Sequence, residues 1–498
     1  MNKDYAHLIE LVKKATILGS ANSVLNWDLD VMMPPGQIEF RSQEMGVLAG
    51  VVQELSTDKK IGRLLVKLKK AADLNAEEKA NIREINRDYE REVKVPPELV
   101  QRLEEEICRS SAIWKEAKRT NNFSLFLPSL ERIIELKKKY AKAIDPKVHP
   151  YEVLIRDYED DFTITDIKKY FAEIKKGIVP LLNAVKYKPK PDISVLRTLI
   201  SINKQQKFNR KIAELLGYDF KKGRLDEAEH PSTNCHGRIT TRYQDDWFSA
   251  ISSTIHETGH AKYDHNLPLE HFGTPLGEAS SMSIHESQSR LWENAVGRSK
   301  EFWSFLLPLA REAYRPALND LTLKQIYTAV NAAEPSLIRT EADELTYDLH
   351  IIMRFELECA LLEGSLPAKD LPAAWNRKMQ QYFGITPATD TEGVLQDTHW
   401  ACGLFGYFPS YTLGNMLAAQ IFAAAERSIP DLENKIAAGS FTELNNWLSK
   451  NIHYYGRRYQ TKKLIEKATG KAPEAKDYIN YLETKFKELY GLNVPKKK

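Results

Sequence analysis

The segment His256-Glu-Thr-Gly-His260 holds the residues whose types and spacing speak most directly of chemistry. On a helix the two histidines stand one turn apart on one face, so both imidazoles reach a single cation. Glu257 projects beside them, within reach of a proton on water held by that cation. In a chain with 12 histidines, the pattern is expected by chance at roughly a few per cent. The plainer reading is therefore a helix whose histidines are ordinary packed groups. That reading loses ground at His285-Glu-Ser-Gln288, a second helical stretch. There Glu286 supplies a third ligand and leaves a fourth position open, the arrangement a catalytic zinc site asks for. His285, adjacent to Glu286, points about 100° away on a helix and suits a supporting role.

Water attack on an amide also needs donors for the oxyanion. Gln396–Trp400 and Gly406–Tyr411 offer His399, Tyr407 and Tyr411, although filling an aromatic core competes as the role of the tyrosines. Release of a C-terminal residue needs a cation for the free carboxylate, a bidentate task that suits arginine. Arg238, Arg242 and Arg339 are the candidates. Arg339 and Asp343 are spaced i, i+4, so a surface ion pair along a helix is the rival role for Arg339.

These residues need helices to position them, and helical periodicity dominates. Ile82, Ile85, Tyr89 and Val93 share a face, with Asn75 as N-cap and Pro96–Pro97 as a stop. A second helix starts at Pro97, and a third carries Leu130, Ile133, Ile134 and Leu136 and ends before Pro146. Further helices are expected over 248–265, 279–296, 337–362 and 414–427. The β-branched run Arg238-Ile-Thr-Thr-Arg-Tyr243 is the best strand candidate, within a small sheet near 220–245. The expectation is a mainly α, single domain over 1–498, with N-terminal helices (1–145) covering a catalytic core (225–425).

Composition narrows the partners. Seventy-one Lys+Arg against 68 Asp+Glu leave a formal charge of +3, with no bulk attraction to nucleic acid. Lys496–Lys498 reads as a solvated tail. Four cysteines (Cys108, Cys235, Cys359, Cys402), with no CxxC pair, argue against a disulfide framework and suit a reducing cytoplasm. Residues 1–20 have no apolar signal core, and 413–425 is too short and too polar to span a bilayer.

Read together, the motifs resemble those of the thermostable carboxypeptidase Taq (M32) metallocarboxypeptidases, in order along nearly the whole chain. The matching segments are Asn26–Gly36, His256–His260, Gly273–Glu278, His285–Gln288, Ile338–Asp343 and Gly393–Trp400. The resemblance implies a helical fold with a deep central groove, similar to neurolysin and angiotensin-converting enzyme, and a homodimer. It implies stepwise, broad removal of C-terminal residues from peptides, Pro excepted, using one zinc or cobalt ion per chain. By similarity His256, His260 and Glu286 are metal ligands and Glu257 the general base, while Arg339 and His399 line the substrate site. Two positions depart from the family pattern: Ser232 stands where Phe is usual after His230-Pro231, and His236 where Asp is usual. Both bear on the groove wall.

The mechanism expected has metal-held water attack the scissile carbonyl while Glu257 takes the proton and returns it to the leaving amine. His399 and Tyr411 would stabilise the oxyanion, and the strand Arg238–Tyr243 would hold substrate backbone at its edge. An internally cutting oligopeptidase is the nearest rival. A non-catalytic metal-binding helical protein would want a damaged ligand or base, and none is seen.

Overall fold

Asn75 opens the helix Ala76–Lys94 through a reciprocal cap. Its Oδ1 accepts the N–H groups of Glu77 and Glu78, and Glu78 Oε2 accepts the N–H of Asn75 at 2.9 Å. The next helix, Pro97–Arg119, begins on a proline, where the missing N–H costs nothing. It packs against Phe123–Ile144, which follows within a few residues. The computed structural model describes residues 2–492, and the tail Lys496–Lys498 lies outside them. No described helix is long and apolar enough to cross a membrane, and none of the four cysteines is in a disulfide.

The described chain is mostly helical with one small sheet, as expected, and divides into two compact units of three sequence stretches each. The first unit comprises Met1–Val93, Pro191–Val330 and Leu417–Pro473. In it the helices Lys3–Val31 and Ile38–Ser56 pack on one another. Tyr5, Leu8, Ile61, Leu65, Ile82 and Ile85 form an apolar cluster beside them.

The sheet also belongs to this unit: β1 (Leu225–Glu227), β2 (Thr233–Asn234) and β3 (Arg238–Thr241). β3 runs parallel to β1 and antiparallel to β2, in the order β1-β3-β2. The strand read from the sequence is therefore real but central. With a neighbour on each side, β3 has no open edge to offer a peptide, and the expected edge pairing by Arg238–Tyr243 is overturned.

The second unit comprises Lys94–Lys190, Asn331–Met416 and the described part of 474–498. It contains Ile164–Lys186 packed on Lys476–Tyr490, and Tyr347–Glu363 packed on Leu371–Phe383. The helix expected over 337–362 starts only at Tyr347. Before it, Asp343 accepts the backbone N–H groups of Glu334, Leu345 and Thr346, which folds 334–346 into turns. Arg339 sits in a single 3-10 turn, so it cannot pair with Asp343 along a helix face, and that rival role falls.

Candidate metal centre

The histidine helix, Trp247–Asn266, is capped by Asp246, whose Oδ1 accepts the N–H groups of Phe248 and Ser249 at 3.0 Å. The glutamate helix, Met282–Arg290, starts at the Ser281 cap and runs on into a π-helical turn, Leu291–Val296. The two helices touch at Gly259. A Cβ there would lie 2.6 Å from Gln288 O and 2.7 Å from Ser289 Cα, so only glycine lets the backbones approach this closely. That approach sets Glu286 against the two histidines.

Glu286 Oε2 lies 3.7 Å from His256 Nε2 and 3.3 Å from His260 Nε2. One ligand atom from each residue falls within 4.8 Å of the others. Two bonds of about 2.0–2.2 Å meeting at a tetrahedral angle put their outer atoms roughly 3.3–3.6 Å apart. The separations thus suit a shared ion better than direct hydrogen bonds.

The surrounding groups fix which nitrogen of each histidine would be free to hold an ion. His256 Nδ1 lies 2.8 Å from Glu293 Oε2, and an ionised carboxylate only accepts, so the proton belongs on Nδ1 and Nε2 keeps its lone pair. A longer relay serves His260. His285 Nε2 donates to Asp264 Oδ1 at 3.0 Å, which leaves His285 Nδ1 to accept from His260 Nδ1 at 2.6 Å. Burial, then His285, holds His260 below its ordinary value, favouring the neutral form that a metal needs.

Burial works against charge on Glu286. Arg290, donating from Nε at 2.6 Å, and the two histidines outweigh it and hold the carboxyl well below its usual range. Arg290 Nη1 also reaches Glu293 Oε2 at 3.1 Å. Glu257 is buried, and its Oε2 accepts from Thr233 Oγ1 at 2.6 Å.

Arg238, the alternative carboxylate binder, stacks on Trp27 at 4.5 Å from β3, and Arg242 is exposed. At the first departure from the family pattern, Ser232 joins a polar net with Thr240: its N–H donates to Thr240 Oγ1 at 2.8 Å and its carbonyl accepts the Thr240 N–H. At the second, exposed His236 sits at φ 58° with its ring edge-on to Phe272.

The remaining substrate candidates cluster within the second unit. Arg339 is 7% exposed and donates from Nε to Asp397 Oδ1 at 2.9 Å and from Nη1 to the Tyr347 hydroxyl at 3.1 Å. Fully buried Arg354 takes the other oxygen of Asp397 at 2.7 Å. Gln396 Oε1 accepts from both the Arg339 N–H and Arg354 Nη2. His399 stacks on Phe408 at 4.4 Å, with Nε2 3.2 Å from the Tyr411 hydroxyl. Burial, against the pull of Asp397, pushes His399 down to about 3, so its imidazole is neutral. Tyr407 packs edge-on to Tyr158 and Tyr411.

The sequence reading missed Asp264, Arg290 and Glu293 as supports and Thr233 beside Glu257. Asp264 continues the i, i+4 series of His256 and His260, and Arg290 stands i+4 from Glu286, so helical spacing could have found both. Thr233 left no such signal, because its approach depends on the sheet.

A His/His/Glu set with its glutamate buried, its histidines partly so and a further glutamate alongside, on two touching helices, is the kind of centre a metal-dependent hydrolase uses. The chain belongs to the carboxypeptidase Taq (M32) metallopeptidase family, whose model matches residues 7–486. It is 40% identical to thermostable carboxypeptidase 1 of Thermus thermophilus, over 98% of this chain and 99% of that protein. It is 37% identical to carboxypeptidase 1 of Bacillus subtilis, over 97% of this chain and 98% of that one. Its structure superposes on that of an M32 carboxypeptidase from Deinococcus radiodurans with a TM-score of 0.96 at 37% identity, covering 99% and 100% of the two chains. Membership makes this protein a metallocarboxypeptidase that works with a divalent ion.

Proposed function

We propose that the protein releases C-terminal amino acids one at a time from peptides of varied sequence, with one zinc or cobalt ion per chain and Glu257 as general base. The observation that carries the reading is the spacing of the ligand atoms of His256, His260 and Glu286 around room for a single ion. A divalent ion held there supplies a Lewis acid that acidifies water and polarises a carbonyl. Glu257 Oε2 is engaged by Thr233, so Oε1 takes the proton from the attacking water and passes it to the departing amine.

His399 and Tyr411 are assigned to the developing oxyanion, to which a neutral imidazole and a phenol both donate. Tyr407 lines the substrate site. Arg339 takes the free carboxylate in preference to Arg238, which is engaged with Trp27. A homodimer in the cytoplasm, acting on peptides and on neither nucleic acid nor membrane, completes the proposal.

The test is mass spectrometry of a mixed peptide set incubated with zinc- or cobalt-loaded protein. Ladders shortened from the C-terminus, abolished by chelation, are expected. Glu257→Gln should keep about one ion per chain while turnover falls by several orders of magnitude. Internal fragments would replace this reading with an oligopeptidase, and near-normal turnover in Glu257→Gln would remove Glu257 as the base.

A further inference from the structure

We propose that Thr233 serves this peptidase reaction twice: its hydroxyl positions the Glu257 carboxylate, while its backbone N–H and C=O pair with one extended residue of the substrate. The inference rests on the reading of Glu257 as base.

The sheet register decides where the Thr233 backbone points. Along a strand the N–H and C=O of one residue share a side, and successive residues alternate. The Ile239 N–H bonds to Arg224 O at 2.9 Å, so Ile239 faces the β1 side. The Thr240 N–H bonds to Ser232 O at 2.8 Å, so Thr240 faces β2. Thr233 is paired with Ile239, which makes theirs the pair that exchanges no hydrogen bonds across β2 and β3. Ser232 and Asn234, on either side, have their carbonyls occupied by Thr240 and Gly237. The N–H and C=O of Thr233 therefore face away from β3, to the open edge of β2. Neither makes a hydrogen bond among the described residues.

The Thr233 side chain shares a sheet face with Ile239, which is fully buried against Ala261 of the histidine helix. From that face Oγ1 lies 2.6 Å from Glu257 Oε2 and 3.1 Å from Glu257 O. A hydroxyl has one hydrogen to give, and the shorter contact, to the carboxylate, is the charge-assisted bond. The residue that sets the base thus presents the only β2 backbone groups turned to the open edge. A peptide laid there in extended form would be in register with Glu257, because one residue fixes both. β1 offers no equivalent, since β3 separates its outer edge from Glu257.

Two measurements separate the two roles. For the hydroxyl, kcat, KM and metal content are compared in wild type, Thr233→Ser and Thr233→Val. Valine is expected to lower kcat about ten- to a hundredfold, the scale of a hydrogen bond to a charged group. KM should stay within about twofold and the metal content unchanged, while serine restores most of kcat. Valine as fast as wild type, or serine as slow as valine, overturns the positioning role.

For the backbone, peptides N-methylated at one amide at a time are bound to the metal-loaded Glu257→Gln protein and followed by calorimetry. Methylation of one particular amide should weaken binding about three- to tenfold, as loss of one backbone hydrogen bond does, with the amides on either side less affected. A flat profile overturns the pairing. A wild type that releases no C-terminal residue overturns the reading of the reaction itself. A wild type that does so beside an unaffected Thr233→Val overturns the positioning role alone.

Discussion

A guanidinium as buried as that of Arg339 stays charged, so its burial is costly unless carboxylates surround it or an anion arrives. Among the described residues Asp397 is the one carboxylate in contact with it, and Asp397 is shared with Arg354. Burial opposes the charge on Arg339, yet Asp397, Tyr347 and Tyr411 hold the group above its ordinary value. The pair of cations is thus matched by one contacting anion, and Arg339 Nη2 makes no hydrogen bond among the described residues. A peptide carboxylate would balance the site. Arg339→Met should therefore cost roughly 2–5 kcal/mol of transition-state stabilisation, about thirtyfold or more in rate. Comparing a free-acid peptide with its C-terminal amide checks this: wild type should strongly prefer the acid, and the variant should lose most of that preference. If the preference survives in Arg339→Met, the carboxylate is bound elsewhere and Arg238 is the next residue to change. At this scale His256, His260, Glu286 and His285 were legible, because helical spacing fixes what faces what. Asp397 as the partner of Arg339 was not, since their pairing follows from turns that periodicity does not describe.

Between elements, the contact of the histidine and glutamate helices matters most, and it rests on Gly259. At an exposed helical site, Gly→Ala stabilises by about 1 kcal/mol. Here the methyl would meet backbone, Gln288 O and Ser289 Cα, closer than real Cβ contacts come, and backbone does not yield cheaply. Overpacking of this kind costs about 1–3 kcal/mol, so it outweighs the helical gain. Gly259→Ala is expected to lower thermal stability and to weaken metal binding tenfold or more by parting Glu286 from the histidines. Thermal melts and metal titration check the sign, and a variant that is more stable with unchanged affinity would show that the helices do not touch there. The helices themselves were readable from apolar spacing and proline stops, but their boundaries near function were less so. The helical pattern over 337–362 hid the Asp343 turn, and the run 279–296 gave no sign of the π-helical turn at Leu291–Val296. Strand character at Arg238–Thr241 was visible from its β-branched residues. Its central place was not, because β1 and β2 are too short to announce themselves.

At the scale of the whole molecule, each unit is assembled from three stretches of sequence, and the chain passes from one to the other five times. Local periodicity carries no record of which distant stretches assemble together, so the sequence could offer only a single domain. Units joined by one linker melt independently, but these are joined differently. One boundary, between Met416 and Leu417, falls inside the helix Pro409–Ser428, so neither unit can unfold without breaking that helix. Calorimetry is therefore expected to show one cooperative transition. The proposed metal ligands all belong to the first unit, yet under this coupling the ion stabilises the whole transition through linkage. At free metal a hundredfold above Kd the gain is about 2.7 kcal/mol. With an unfolding entropy of about 2.1 cal/mol/K per residue, a chain of 498 residues should melt about 3 °C higher. Chelation should lower the single peak by the same amount. Two peaks, only one of which moves with metal, would mean that the units unfold separately and that the single-domain reading fails.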